Sequence, residues 1–256
     1  MSFIFRIVRL TAILSISLFY VLWSVPYQFM GWKGRRKIAG LMRLWAKSIA
    51  KAIGLRIKVF GDVPVSPAGL VVSNHTSYLD IVAHASILDF RFAPRAEIES
   101  WSAIGGLISL THPVWVYRGS KTASNKTLRE YKKTIKNGLH LIVYPEGTSS
   151  DGKSGVLPFR STPFEAALGA RSPIYPMLTR HIEVPGRPTV CWYGDMTLVP
   201  HMWTVLAFPS TLVEIYFLEP IYPEGMSRKG LAMYVHDKMD SEYRRITAGD
   251  RECHPR

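Results

Sequence analysis

Two side chains that together could move a proton, His75 and Asp80, stand five residues apart. They follow Leu70–Val72, an apolar run typical of a short strand, within a segment rich in Ser, Thr and Asn, which favour helix starts. If His75 lies in the turn and Asp80 in the first helical turn, the carboxylate can reach one imidazole nitrogen. Such an Asp fixes the tautomer and stabilises the imidazolium, which leaves the other nitrogen as a base. A capped helix with an incidental His and a surface Asp is the alternative.

Two further groups of candidate residues follow strand-like segments. Arg118 ends the run Val114–Arg118, and Glu146, Gly147 and Thr148 come directly after the apolar run Leu139–Tyr144. In open α/β sheets, ligands bind at the carboxyl ends of the strands, so a base, a cation and a carboxylate-glycine turn could converge there. Taken singly, Arg118 also fits a surface cation and Glu146 a turn residue.

The run Gly147–Ser154 fits the phosphate-binding pattern G-x4-G-K-S after a strand. That pattern binds phosphate only if a helix begins at its lysine, because the amides of the helix N-terminus make the contact. Gly155 and Pro158 follow at once and oppose a helix. We therefore reject a nucleoside triphosphatase. The chain also lacks the G-x-S-x-G motif of a serine nucleophile elbow.

The elements that must position these residues alternate between strand and helix, which predicts an α/β sheet domain with helices on its faces. The predicted strands are Leu55–Phe60, Leu70–Val72, Phe90–Ala93, Val114–Arg118, Leu139–Tyr144, Ile174–Leu178, Thr189–Tyr193 and Leu212–Leu218. The predicted helices run from Tyr78 to about Leu88, over Glu97–Leu110 and Thr122–Asn137, and from about Arg228 to Arg245.

The N-terminus reads as a membrane anchor, because no formal charge occurs between Arg9 and Lys33. That length fits one crossing or a deeply inserted interfacial helix. A cleavable signal peptide is less favoured because Pro26 interrupts the segment and no clear small-x-small site follows. The many basic residues after the anchor place the rest of the chain on the cytoplasmic side.

Residues 34–53 have apolar side chains at helical spacing, with basic side chains opposite. We interpret this segment as a basic interfacial helix on anionic lipid; a solvated helix packed on its own domain is the alternative. The chain then divides into an anchor with this helix, residues 1–54, and an α/β domain, residues 55–256.

Overall charge points to an anionic partner. Lys and Arg number 32 against 19 Asp and Glu, a formal net charge of +13. Lipid headgroups, nucleic acid and acidic proteins all fit this charge. The two cysteines, Cys191 and Cys253, have no metal or redox spacing and form no disulfide framework, which favours a reduced, cytoplasm-facing domain.

Four motifs carry a resemblance to a known family: N-H-T-S-Y-L-D at 74–80, W-V-Y-R at 115–118, Y-P-E-G-T at 144–148 and I-Y-P-M at 174–177. In this order and spacing the chain resembles the glycerolipid acyltransferases, specifically the 1-acyl-glycerol-3-phosphate (lysophosphatidate) acyltransferases and their relatives that acylate lyso-ornithine lipid. The resemblance covers about residues 55–220. It implies a mixed central sheet flanked by helices.

The resemblance also implies roles. His75 would be the general base and Asp80 its orienting partner; Arg118 would bind the acceptor headgroup; Glu146, Gly147 and Thr148 would shape the acceptor site. Pro176 would structure the acyl-donor side. Acyl-CoA or acyl-carrier protein would be the co-substrate, with no cofactor, no metal and no nucleic acid. The enzyme would act at the bacterial inner membrane, bind its anionic headgroups, and keep its catalytic domain in the cytoplasm.

Three positions depart from the family pattern. His112 stands where the second motif usually opens with Gly, Trp115 replaces a Phe, and Ser149 replaces a common Arg after P-E-G-T. Ser149 removes one expected phosphate contact. The resemblance implies 1-acyl-glycerol-3-phosphate as the acceptor, and Ser149 makes lyso-ornithine lipid or another lysophospholipid the alternative. A basic membrane-surface binding protein without catalysis is the non-enzymatic alternative.

Overall fold

The structure is a computed structural model that describes residues 2–117 and 121–253. Within these ranges six strands form one sheet in the order β1-β6-β5-β2-β4-β3, where β5 and β6 are antiparallel and the other neighbours parallel. The strands are β1 Leu55–Phe60, β2 Leu70–Ser73, β3 Phe90–Phe92, β4 His140–Val143, β5 Ile174–Ile182 and β6 Thr211–Phe217. The predicted mixed sheet flanked by helices is confirmed.

Helices cover both faces of this sheet. The helices are α1 Ser2–Ser24, α2 Gly31–Ile53, α3 Leu79–Ile87, α4 Ser102–Ser109, α5 Lys121–Lys136, α6 Phe164–Ala170, α7 Leu198–Val205 and α8 Arg228–Cys253, with 3₁₀ turns at Val25–Phe29 and Ala96–Ser100. Val71 of β2 packs into a core with α2 and α3, whereas its neighbours Leu70 and Val72 pack into a second core with α5, α6 and α8. This alternation follows from the two-residue period of a strand buried on both faces.

Several predicted elements differ from the structure. The helix predicted over Glu97–Leu110 is instead the 3₁₀ turn Ala96–Ser100 followed by α4, with the break at Trp101. Gly105 and Gly106 lie inside α4, and a Cβ on Gly105 would clash with the Glu99 carbonyl oxygen. The strand predicted at Val114–Arg118 is wrong over the described residues 114–117, where Val116 makes one isolated bridge to Arg95. Residues 189–193 form a loop, not the predicted strand. Helices α6 and α7 were not predicted.

Helix α1, the candidate membrane anchor, is packed on the domain along one side. Arg9 of α1 donates hydrogen bonds to the carbonyls of Leu206 (3.2 Å), Phe208 and Pro209 (2.9 Å). Further along, Trp45 Nε1 of α2 donates to Ser17 Oγ at 3.1 Å. Phe3–Phe29 is long and apolar enough to cross a membrane, and only 11% of its most apolar window is buried.

Helix α2 does not offer its apolar face to lipid, so our interpretation of residues 34–53 is wrong for that face. Its apolar side chains are buried, among them Ile38 and Ile49, and Ile49 belongs to the same core as Val71 of β2. The alternative interpretation, packing on the same domain, describes this face. The opposite face exposes five basic side chains: Lys33, Arg36, Lys37, Lys47 and Lys51.

Candidate active site

The loop between β2 and α3 is held in place by its own polar side chains. Asn74 pairs with the backbone of Thr179 on β5, donating from Nδ2 to the carbonyl at 2.9 Å and accepting the amide at Oδ1 at 2.8 Å. Ser77 Oγ donates to the Val190 carbonyl at 2.9 Å. The loop therefore has one conformation fixed by two neighbouring segments, one of which is the loop that was predicted to be a strand.

Asp80 is the centre of this site. Its side chain is fully buried in the first turn of α3, and Oδ2 accepts hydrogen bonds from the amides of Thr76 (2.8 Å) and Ser77 (3.0 Å). His75 Nδ1 lies 2.8 Å from the same oxygen, and His181 Nε2 lies 2.7 Å from Oδ1. Burial alone would raise the pKa of Asp80, but the hydrogen bonds from the two histidines hold it well below its usual range.

His75 is the exposed end of this arrangement, with 19% of its side chain accessible. The contact that the spacing predicts between His75 and Asp80 is present. Because Nδ1–H donates to the carboxylate, the neutral imidazole carries its lone pair on Nε2. The Tyr144 ring stacks on the His75 ring with centroids 4.2 Å apart, which restrains its orientation.

Sequence reasoning missed His181. It lies on β5, which pairs with β2 up to Ser73 and then extends past the end of that strand. The extension carries Thr179 and His181, two residues apart and therefore on one side of the strand, over the His75 loop. The signal was the polar run Thr179–His181 at the end of an otherwise apolar strand, but the residue that His181 contacts is 101 positions away.

A second buried histidine, His84 of α3, supports the floor of the site. Its Nδ1 lies 3.0 Å from the Tyr144 hydroxyl and its Nε2 lies 2.7 Å from Thr179 Oγ1. Burial lowers the pKa of His84 to about 3, so this imidazole is neutral at physiological pH. It connects the tyrosine under His75 to the strand that carries His181.

Glu146 lies beneath the site rather than on its surface. It is 6% exposed, and its two oxygens accept the amides of His75 (3.4 Å) and Leu157 (3.2 Å). Burial raises the pKa of Glu146 to about 8, although both amides favour the charged form. Glu146 therefore braces two loops, consistent with shaping a site rather than touching a ligand.

Gly147 and Thr148 form the turn above Glu146. Gly147 has a φ of +72°, and a Cβ there would lie 2.6 Å from Arg160 Nε, so both its backbone and its surroundings favour glycine. Thr148 is exposed at the rim.

Cations surround this turn. Arg95 donates to the Gly147 carbonyl, Arg160 lies beside the same glycine, and both side chains are exposed. Neither was among the predicted site residues. Arg118 lies outside the described residues, so its place at the site stays a prediction from the sequence.

Comparisons with known proteins agree with this geometry. A family model described as acyltransferase matches residues 56–180. The chain is 32% identical over 214 residues to the lyso-ornithine lipid O-acyltransferase of Rhodobacter capsulatus, covering 77% of this chain and 76% of that protein. It is 26% identical over 206 residues to the 1-acyl-sn-glycerol-3-phosphate acyltransferase of Neisseria gonorrhoeae, covering 80% and 79%.

A solved structure shares the fold. The crystal structure of the 1-acyl-sn-glycerophosphate acyltransferase PlsC from Thermotoga maritima has a TM-score of 0.68 and 22% identity, and the match covers 97% of this chain and 98% of that one. The sequence match to the Rhodobacter relative over about three quarters of both chains extends this likeness from fold to family. The chain belongs to the acyltransferase family and is an enzyme that acylates lysolipids.

Proposed function

We propose that this chain is a membrane-bound O-acyltransferase that moves a fatty acyl group from an acyl thioester to the free hydroxyl of a lysolipid. The observation that carries the proposal is the 2.8 Å contact between His75 Nδ1 and Asp80 Oδ2. It orients an accessible imidazole with Nε2 able to accept a proton. Acyl-CoA or acyl-carrier protein is the donor, because both are anionic and the chain is strongly basic.

The step is direct transfer. A lysolipid hydroxyl ionises only at high pH, so His75 Nε2 takes its proton as the oxygen attacks the thioester carbonyl carbon. Asp80 stabilises the imidazolium that forms. The carbon–sulfur bond then breaks, the new oxygen ester remains, and the leaving thiolate receives the proton from His75.

Two acceptors are proposed, 1-acyl-glycerol-3-phosphate and lyso-ornithine lipid. The exposed guanidiniums of Arg95 and Arg160 at the Gly147 turn suit an anionic group, either a phosphate or a carboxylate. Arg118, which the family motif places at the headgroup, would add a third. Ser149 carries no charge, which favours tolerance of the less highly charged lyso-ornithine headgroup.

For membrane attachment we propose that α1 lies in one leaflet. Arg9 is hydrogen-bonded to the domain through three carbonyls, and Ser17 bonds α2, so one side of α1 follows the domain surface. The other side exposes large apolar residues, among them Ile4, Leu14, Leu18 and Leu22, each more than 60% accessible. This arrangement suits a helix lying along the interface, with the catalytic domain on the cytoplasmic side.

The test is an assay of the purified full chain with labelled acyl-CoA or acyl-carrier protein against a panel of lysolipids. His75→Ala should lower turnover by on the order of 10²–10⁴-fold. His236→Ala, which removes a histidine of α8, should leave turnover near wild type. Near-normal turnover in folded His75→Ala would contradict the base assignment, and failure on every lysolipid would contradict the proposed reaction.

A further inference from the structure

Asp80 serves two imidazoles, and the mechanism proposed above uses only one. His75 contacts Oδ2, whereas His181 Nε2 contacts Oδ1 at 2.7 Å. The His181 side chain is 1% accessible, and that of Asp80 is fully buried. A contact this short between two buried polar groups contributes more than the same contact at a surface, because no water competes for either partner.

The protonation of His181 follows from its surroundings. Its Nδ1 is buried and has no hydrogen-bond partner among the described residues. A buried N–H without an acceptor is costly, so Nδ1 carries the lone pair and the proton is on Nε2. His181 is thus a neutral donor to Asp80, not a second base.

We propose that His181 is a positioning residue for acyl transfer: its Nε2–H holds Oδ1, fixes the plane of the Asp80 carboxylate so that Oδ2 stays on His75, and takes up part of the carboxylate charge. This role rests on the proposed function, in which His75 is the general base. The Thr76 and Ser77 amides hold Oδ2 from the loop side, so His181 is the partner that restrains the other oxygen.

Other titratable groups also surround the carboxylate and must be separated from His181 in any pH profile. Those whose electrostatic interaction with Asp80 is resolved come from α3, the segment after β4, the 190–193 loop and α8; they are His84, Tyr144, Glu146, Cys191 and Tyr243. Burial moves the pKa of His84 to about 3, of Glu146 to about 8 and of Cys191 to about 11, and raises those of both tyrosines. The variants compared below change none of these groups, so a difference between their pH profiles reports the change at position 181.

The test compares two amide substitutions that differ only in reach. The amide nitrogen of Gln can occupy the position of His Nε2, whereas that of Asn reaches only the level of Nδ1. In the full chain, His181→Asn should lower kcat roughly ten- to a hundredfold, the rate equivalent of one hydrogen bond to a charged group, with little change in the acceptor KM. His181→Gln should recover most of this loss.

The pH dependence of kcat/KM distinguishes this role from a merely structural one, because a structural role would leave its acid limb unchanged. Without the His181 donor, the carboxylate attracts the imidazolium of His75 more strongly, so the acid limb of kcat/KM in His181→Asn should move to higher pH by about half a unit or more. His181→Gln should keep the wild-type limb. A folded His181→Asn enzyme with wild-type kcat and acid limb, or a His181→Gln enzyme as impaired as His181→Asn, would overturn the proposal.

Nitrogen-15 NMR of the histidine rings in the wild-type chain tests the same idea if His181→Asn does not fold. The Nε2–H tautomer of His181 supports the proposal, and the Nδ1–H tautomer overturns it. His75→Ala separates this proposal from the broader one. An active His75→Ala enzyme contradicts the base assignment itself, whereas an inactive one beside an unchanged His181→Asn enzyme overturns only the role of His181.

Discussion

His75 and Asp80 could be paired from the sequence because their contact is local. One turn and the first turn of a helix bring them together, and the residues that form that turn are helix-start residues. His181 could not be found in the same way, because its contact depends on how far β5 extends past β2. The positions of Arg95 and Arg160 at Gly147 depend likewise on how distant loops fold back.

Glu146 should make stability fall as pH rises. Its pKa is about 8 in the folded chain against an ordinary 4.5, so between these values the folded state holds a proton that the unfolded state has released. The contribution of Glu146 to the free energy of unfolding is therefore complete below about pH 4.5. It declines toward pH 8, by at most about 1.4 kcal/mol per pH unit. Glu146→Gln should remove this slope.

Denaturant unfolding in detergent at several pH values between 5 and 8 checks the Glu146 slope. Glu224→Gln is a suitable control, because Glu224 is exposed in a loop and should leave the wild-type slope in place. Parallel pH dependence of wild type and Glu146→Gln would contradict the assignment.

His112 occupies a backbone conformation that suits glycine. Its φ is +50°, and its carbonyl accepts a hydrogen bond from Arg91 Nε at 2.7 Å, so the turn is fixed. A non-glycine residue in this region costs on the order of 1 kcal/mol or more. His112→Gly should keep the fold and raise the unfolding free energy by up to about 1 kcal/mol, after the extra unfolded-state entropy of glycine. Thermal unfolding measures this, and a lower melting temperature would contradict it.

Ser149 tests the choice of headgroup. A charge-assisted hydrogen bond contributes about 1.5–3 kcal/mol, so Ser149→Arg should raise kcat/KM for 1-acyl-glycerol-3-phosphate relative to lyso-ornithine lipid by roughly ten- to a hundredfold. Ser149→Gln, of similar length but uncharged, is the matched control. An unchanged ratio in Ser149→Arg would remove position 149 from headgroup choice.

Elements with a clear period were predicted well, and those set by tertiary contacts were not. The strands Leu55–Phe60 and Phe90–Ala93 were found within one residue, because each has a compact apolar or alternating pattern. The loop at 189–193 has a strand-like composition, but its groups pair with the His75 loop; the Trp192 amide, for example, donates to the Thr76 carbonyl at 2.8 Å. Local propensity yields to such contacts.

Helix α2 shows how an amphipathic pattern can be assigned to the wrong partner. The same stripe of apolar residues suits a lipid surface or a protein core, and the periodicity alone does not distinguish them. In this chain the apolar face of α2 packs into the protein core. The exposed lysines remain available to anionic headgroups, at about 1 kcal/mol each.

Charge reversal on α2 should therefore weaken membrane binding without loss of fold. Lys47→Glu with Lys51→Glu should lower the affinity of the full chain for anionic vesicles, most at low salt where screening is least. Lys126→Glu with Arg129→Glu, on the exposed face of α5 across the sheet, is the matched control. Equal losses in both double variants would mean that net charge matters and the α2 face does not.

For the whole molecule, the alternation of strands and helices and the order of the motifs were enough to predict the fold class. They did not show how the anchor meets the domain, because that depends on single side chains such as Arg9. The division at residue 54 stays a prediction, and α2 contributes to the same core as the strands that follow it.

Attachment by the whole molecule should have two separable parts. The apolar face of α1 should keep the full chain on uncharged vesicles even at about 1 M salt, where the Debye length is only about 3 Å. The additional affinity for anionic vesicles should disappear over the same salt range. Flotation of vesicles of both compositions across a salt series measures both parts, and full release from uncharged vesicles at high salt would contradict the role of α1.

The hydrogen bonds of Arg9 hold α1 rigidly against the domain. A helix joined to a catalytic domain only by a flexible linker would let the domain tumble above the membrane, whereas a helix held against the domain sets one height and one tilt. The Arg9 guanidinium donates hydrogen bonds to the segment between α7 and β6. A change in the tilt of α1 therefore also tilts the sheet. With α1 in one leaflet as proposed, the accessible edge of His75 would keep a constant angle to the lipid surface, and a lysolipid diffusing in that leaflet would meet it in one orientation.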